Sequence, residues 1–246
     1  MGIPKIIHIS FPFALLRGSL WMRVFRGIPF LFPDFFTMRL CLVGTVHLDP
    51  DGSEKTLNLL RKLQPDRIMV DVSPYAVEFR QSRGPSLRRR LEPFQQPDGK
   101  LPDGLVPVEA QLEIPFEVSA AMEFAEETGA RVTLEGDSEE SRERLRLLVD
   151  ELLTPENLRF LAERPAIPLA DQVLQAWSRA RRWRKAPATF FSSPEIDRAD
   201  GRLASAIEAC PPCNKLAFIG GWEHLPGLVR LLRRHEPEVH LPGFPP

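Results

Sequence analysis

The chain has few cysteines. Cys41, Cys210 and Cys213 are too few for a disulfide framework, and their scarcity fits a reducing, cytoplasmic setting. It has no excess of charge of one sign. A formal net charge of −1 excludes a chain-wide polyelectrolyte binder and leaves any nucleic-acid or acidic-lipid contact to a local patch. No uninterrupted apolar run reaches the roughly 18 residues that a spanning helix needs. The compact apolar run and small-residue cleavage site of a signal peptide are also missing. No Gly-x-Ser-x-Gly elbow, Walker loop or dinucleotide fingerprint occurs, which disfavours a serine hydrolase, an NTPase and a dehydrogenase. There is no internal repeat, and the many prolines are scattered rather than massed in one linker.

What is present reads as an ordinary globular protein. Apolar residues make up 43% of the 246 positions and charged residues 26%, enough for one domain with a sizeable core. Residues 1–37 stand apart: they are apolar and aromatic, carry Lys5, Arg17, Arg23 and Arg26, and are broken by Pro4, Pro12, Pro29 and Pro33. Two readings stay open for them. One is a packing or interfacial arm whose stretch from Phe13 to Phe25 can form a basic amphipathic helix and touch a membrane peripherally. The other is an extension ahead of a start at Met38. A single α/β domain over 38–246 is expected to follow.

From Met38 the pattern is legible. Arg39 to Gly44 reads as a buried strand, Leu57 to Leu63 as part of a helix capped near Asp51 or Ser53, and Arg67 to Val72 as a second buried strand. This β-α-β unit has the length of a parallel crossover. Residues 82–110 read as a loop region with room for one helical turn. A helix is expected over Phe116–Thr128, stopped by Gly129, and a strand over Arg131–Glu135. Residues 138–185 read as a helical, cap-like insertion, Glu195 to Ala209 as a helix, Lys215 to Gly220 as a fourth strand and Leu225 to Arg234 as a closing helix. The fold class is therefore α/β, with a mainly parallel central sheet flanked by helices.

Ligands bind beyond the carboxyl ends of such strands. The first strand is followed by Gly44-Thr45-Val46-His47, the second ends at Asp71, the third at Asp137, and the fourth leads into Gly221-Trp222-Glu223-His224. Glycine lets the strand turn sharply, and three residues later an imidazole can point back over the sheet edge. Two imidazoles and a carboxylate suit a divalent transition metal with open positions for water and substrate, which is hydrolase chemistry. The simpler reading of each residue alone is a hydrogen-bonding loop histidine or a helix-capping aspartate.

These segments resemble the TraB/PrgY/GumN family, related to the Tiki proteases and erythromycin esterases. The likeness rests on Leu42-Val43-Gly44-Thr45-Val46-His47, Pro65 to Asp71, Glu117 at a helix head, Asp197-Arg198, and Gly221-Trp222-Glu223-His224-Leu225-Pro226-Gly227. The resemblance implies a hydrolase of peptide or ester bonds. His47, His224 and Asp71 would hold a divalent ion (Mn²⁺, Zn²⁺ or Co²⁺), and Asp71, Arg198 and Glu117 would be catalytic. Arg198 would suit a carboxylate or an oxyanion. In the esterase relatives a histidine is the general base instead. Asp71 stands where the family usually has Glu, and Trp222 where small residues are common. The alternative is a non-catalytic peptide- or metabolite-binding protein on the same scaffold. The partners expected are a small peptide or ester substrate and a second copy of the chain, but not nucleic acid.

Two further signals are read as structural. Cys210-Pro-Pro-Cys213 lies between a helix end and a strand, the reverse of a thioredoxin-type site, and reads as a tight turn. Trp177 and Trp183, interleaved with Arg179, Arg181, Arg182, Arg184 and Lys185, read as a solvated helix face with tryptophans packed inward.

Overall fold

The computed structural model describes residues 38–187 and 193–244, so the expectations for residues 1–37 lie outside the described residues. Five strands form one parallel sheet: β1 (Arg39–Thr45), β2 (Arg67–Val70), β3 (Arg131–Leu134), β4 (Lys215–Gly221) and β5 (Glu238–His240), in the order β3-β2-β4-β1-β5. The expected α/β architecture with a parallel sheet flanked by helices is what the chain adopts. β1 and β4 are buried on both faces, which is why their sequences run apolar without alternation.

Helices cover both faces. On one, Leu40 and Leu42 of β1 and Leu216 and Phe218 of β4 pack against α7 (Leu169–Lys185), α8 (Pro194–Glu208) and α9 (Leu225–Leu231). On the other, Val43, Ile68, Val70 and Ile219 pack against α1 (Gly52–Leu63) and α4 (Phe116–Thr128). A third apolar cluster joins α2 (Pro74–Arg88), α3 (Val106–Gln111), α5 (Ser138–Leu147) and α6 (Pro155–Glu163) through Phe79, Leu105, Leu112, Leu145 and Leu158. Phe218 is fully buried, and truncating such a side chain to alanine costs about 3–5 kcal/mol.

Two segments depart from the sequence reading. Residues 82–110 are not mostly loop: α2 is capped by the Ser73 hydroxyl on the Ala76 amide, starts with Pro74 and runs through Pro85 to Arg88. Gly84 allows this, because a Cβ there would lie 2.5 Å from the carbonyl oxygen of Leu112. Strand β5 was not foreseen, since Glu238-Val239-His240 is short and mostly polar and offers no apolar run. The helical stretch from 138 divides. α5 and α6 belong to the third cluster, with a π-helical turn over Leu148–Leu152 between them, while α7 lies on the sheet face. Trp177 and Trp183 are buried there, as the helical spacing implied. Cys210 and Cys213 sit in the turn between α8 and β4, and burial together with neighbouring Cys210 pushes the Cys213 thiol up to about 11, the opposite of a reactive thiolate. Among the described residues, no helix is long and apolar enough to cross a membrane.

Candidate functional site

The carboxyl ends of β2, β4 and β1 are neighbours in the sheet, so the turns that follow them converge. They open on a cleft of about 780 Å³ whose lining includes His47, Asp71, Glu117, Asp137 and His224. The helices α2, α3, α4 and α5 supply much of its remaining wall.

His47 is fixed by Glu117. Its Nδ1 lies 2.7 Å from Glu117 Oε1, and the Thr45 hydroxyl lies 2.8 Å from the same oxygen. Glu117 is buried in the first turn of α4, where the helix dipole favours an anion. Burial opposes its charge, yet the bonds from His47 and Thr45 hold its carboxyl below the usual range. The packing around His47 likewise disfavours an imidazolium. The Glu117 bond and the charges of Glu117, Glu223 and Asp71 outweigh it and raise the histidine to about 9. Its side chain stays 56% exposed, with Nε2 over Gly221, where a Cβ would come within 3.0 Å of it.

His224 is fixed from below by a residue that sequence reasoning passed over. Its Nδ1 lies 2.7 Å from Asp200 Oδ1, and Asp200 is fully buried on α8. Its Nε2 lies 3.4 Å from Asp71 Oδ2 at the cleft floor. Burial disfavours the His224 charge, but Asp200 and Asp71 on either side raise its pKa overall. Burial raises Asp71 as well, only partly offset by the two histidines. Both imidazoles are thus anchored through Nδ1 by a buried carboxylate and present Nε2 to the cleft.

The expected site residues do not all meet. Arg198 is exposed on α8 and does not line the cleft, whereas Arg202, one turn further on, does. Arg202 pairs with Asp137, and Asp137 also caps α5 by accepting from the Glu139 and Glu140 amides. Arg144 pairs with Glu140. Arg80 lines the same cleft with its Nε and one terminal nitrogen bonded to the carbonyls of Gln111 and Ala76, and no ion pair is formed by it among the described residues. Trp222 is buried in the core against α7–α9 and leaves the cleft unobstructed.

The metal expectation meets a geometric obstacle. Among the described residues, no three ligand atoms drawn from His47, Asp71 and His224 lie within 4.8 Å of one another. Asp71 and His224 form a close pair and His47 stands apart, engaged with Glu117.

Asp200 left one signal in the sequence. The buried positions of α8 are Asp200, Leu203, Ala204 and Ile207, so a carboxylate occupies the apolar stripe of an amphipathic helix. Nothing comparable marks Arg80 or Thr45. Comparisons of the chain with family models, with curated proteins and with solved structures find no match.

Proposed function

We propose that the chain is a hydrolase of peptide or ester bonds in which Asp71 and His224 transfer protons, Asp200 holds His224 in place and His47 stabilises developing negative charge. The observation that carries this reading is the approach of His224 Nε2 to Asp71 Oδ2, 3.4 Å apart on the floor of an open cleft and backed by a buried carboxylate. Asp71 is the general base, since burial moves its pKa up toward the range where a carboxylate accepts a proton most effectively. Water attacks the substrate carbonyl carbon, the new C–O bond forms, and the water proton passes to Asp71. The His47 imidazolium, kept charged by Glu117, donates from Nε2 to the carbonyl oxygen as it becomes an oxyanion. His224 gives its Nε2 proton to the leaving nitrogen or oxygen as the scissile bond breaks. The proton on Asp71 then crosses to His224 and restores both groups. Arg80, which forms no ion pair among the described residues, suits an anionic group on the substrate. The resemblance to TraB/PrgY/GumN proteins points to the same reaction class.

A second reading keeps a divalent ion on His224 and Asp71. It is favoured by the way each imidazole is anchored at Nδ1 by a carboxylate, an arrangement common behind metal ligands. A panel of chromogenic esters and fluorogenic peptides, assayed with EDTA and then with Mn²⁺, Zn²⁺ or Co²⁺ restored, separates the readings. Turnover that persists in EDTA and falls roughly 100- to 10,000-fold in Asp71→Asn and His224→Ala supports the acid–base site. Turnover that returns only with metal favours the second reading. Absence of turnover, with ligand binding retained, would leave a binding protein on this scaffold.

A further inference from the structure

Away from the cleft, β5 pairs with β1 in a register that sets Cys41 opposite Glu238 and Val43 opposite His240. Side chains two apart on a strand share a face, so Glu238 and His240 lie together beside Cys41. Their ligand-bearing atoms all fall within 4.8 Å of one another, and among the described residues no other three such side chains do so. The two oxygens of Glu238 are divided. Oε1 accepts from Arg39 at 2.8 Å, whereas Oε2 lies 3.6 Å from His240 Nε2, too far for a hydrogen bond. That spacing is close to the ~3.3 Å edge between two ligands bound at about 2.0–2.1 Å around a tetrahedral ion. His240 Nε2 is buried without a hydrogen-bond partner, and Cys41 is a fully buried free thiol. Three metal-ligating atoms therefore converge, and one of them is a buried nitrogen that the protein leaves unsatisfied.

We propose that Cys41, Glu238 and His240 form a binding site for one divalent cation of borderline softness, Zn²⁺ above all, which ties the short edge strand β5 to its neighbour β1. A thiolate, an imidazole and a carboxylate are a donor set that selects zinc over calcium or magnesium. Arg39 orients the carboxylate by holding its other oxygen. The partly exposed Glu238 side leaves a fourth position for water. Binding releases the Cys41 thiol proton to solvent. None of the three residues lines the cleft, so this site is separate from the proposed hydrolytic one.

The test uses the full chain stripped with EDTA and then loaded with Zn²⁺, or with Co²⁺ as a spectroscopic substitute. One ion per chain should be retained at this site, with a sulfur-to-cobalt charge-transfer band in the near ultraviolet. That band should vanish in Cys41→Ser and in the milder surface variant Glu238→Gln, and Arg39→Ala should weaken binding roughly 10- to 100-fold. It should survive in His224→Ala and in a variant with Cys210 and Cys213 both replaced by serine, which separates this site from any ion held at the cleft. Zn²⁺ should also raise the melting temperature of the wild type but not of Glu238→Gln. Absence of the thiolate band on Co²⁺ loading, or its persistence in Cys41→Ser, would overturn the proposal.

Discussion

At Gly227 the backbone runs so close to α8 that a Cβ would lie 1.7 Å from Asp200 Oδ2 and 2.6 Å from its Cγ. The last glycine of the Gly-x-x-His-Leu-Pro-Gly segment is thus required by the carboxylate that anchors the histidine three positions before it. Gly227→Ala must displace the buried Asp200 side chain, so we expect a loss of about 1–3 kcal/mol, read as a lower urea midpoint at unchanged slope. Turnover should fall with it, because Asp200 can no longer hold His224. A gentler probe is Asp200→Asn, which keeps the shape and removes the charge. Titration of the His224 imidazole by NMR should show its pKa lowered in this variant, since Asp200 is what chiefly raises it against burial. An unmoved titration would show that Asp71 alone sets the His224 charge.

Elements differed in how openly their sequences declared them. α4 was legible to its ends because Pro115 precedes it and Gly129, with φ 77, terminates it. β1 and β4 were legible because burial on both faces demands an unbroken apolar run. His47, Asp71 and His224 were legible for a topological reason: carboxyl ends of parallel strands share an edge, so residues just past them line one cleft. Asp200 was not, because its partner lies 24 positions away and its only mark is a carboxylate in an apolar stripe. Arg198 misled because one helical turn separates an exposed position from one that reaches the cleft. The role of α7 was half visible. Its inward tryptophans were expected, but not that Trp177 Nε1 donates to the buried Asp49 at 2.9 Å and so fastens α7 to the turn after His47. Trp177→Phe keeps the ring packing and removes that donor. It should cost about 1–3 kcal/mol in denaturant unfolding. It should also lower turnover by loosening the His47 turn, whereas unchanged turnover would make the bond purely structural.

At the scale of the whole molecule, the two anchored histidines are also ties between layers: His47–Glu117 joins the end of β1 to α4, and His224–Asp200 joins the end of β4 to α8. Their titration therefore belongs to global stability as well as to catalysis. His47 has a reference pKa of 6.5 and about 9 in the folded protein. A histidine raised in this way stabilises the fold fully below the lower value, and that contribution is lost as pH rises through the higher one. Glu117 works in the other sense: its carboxyl is held down, so its contribution is present above its unfolded pKa and fades as acid takes pH through the folded one. The pair is thus at full strength in mildly acidic solution, above the unfolded pKa of Glu117 and below the 6.5 of an unfolded histidine. With metal removed by EDTA, the wild-type urea midpoint should decline from pH 6.5 to about 9. His47→Gln should start lower and decline less, so the two curves approach each other in alkali. Parallel curves across that interval would mean that the imidazolium adds nothing to the fold. The charged His47 required for oxyanion stabilisation would then lose its main physical support.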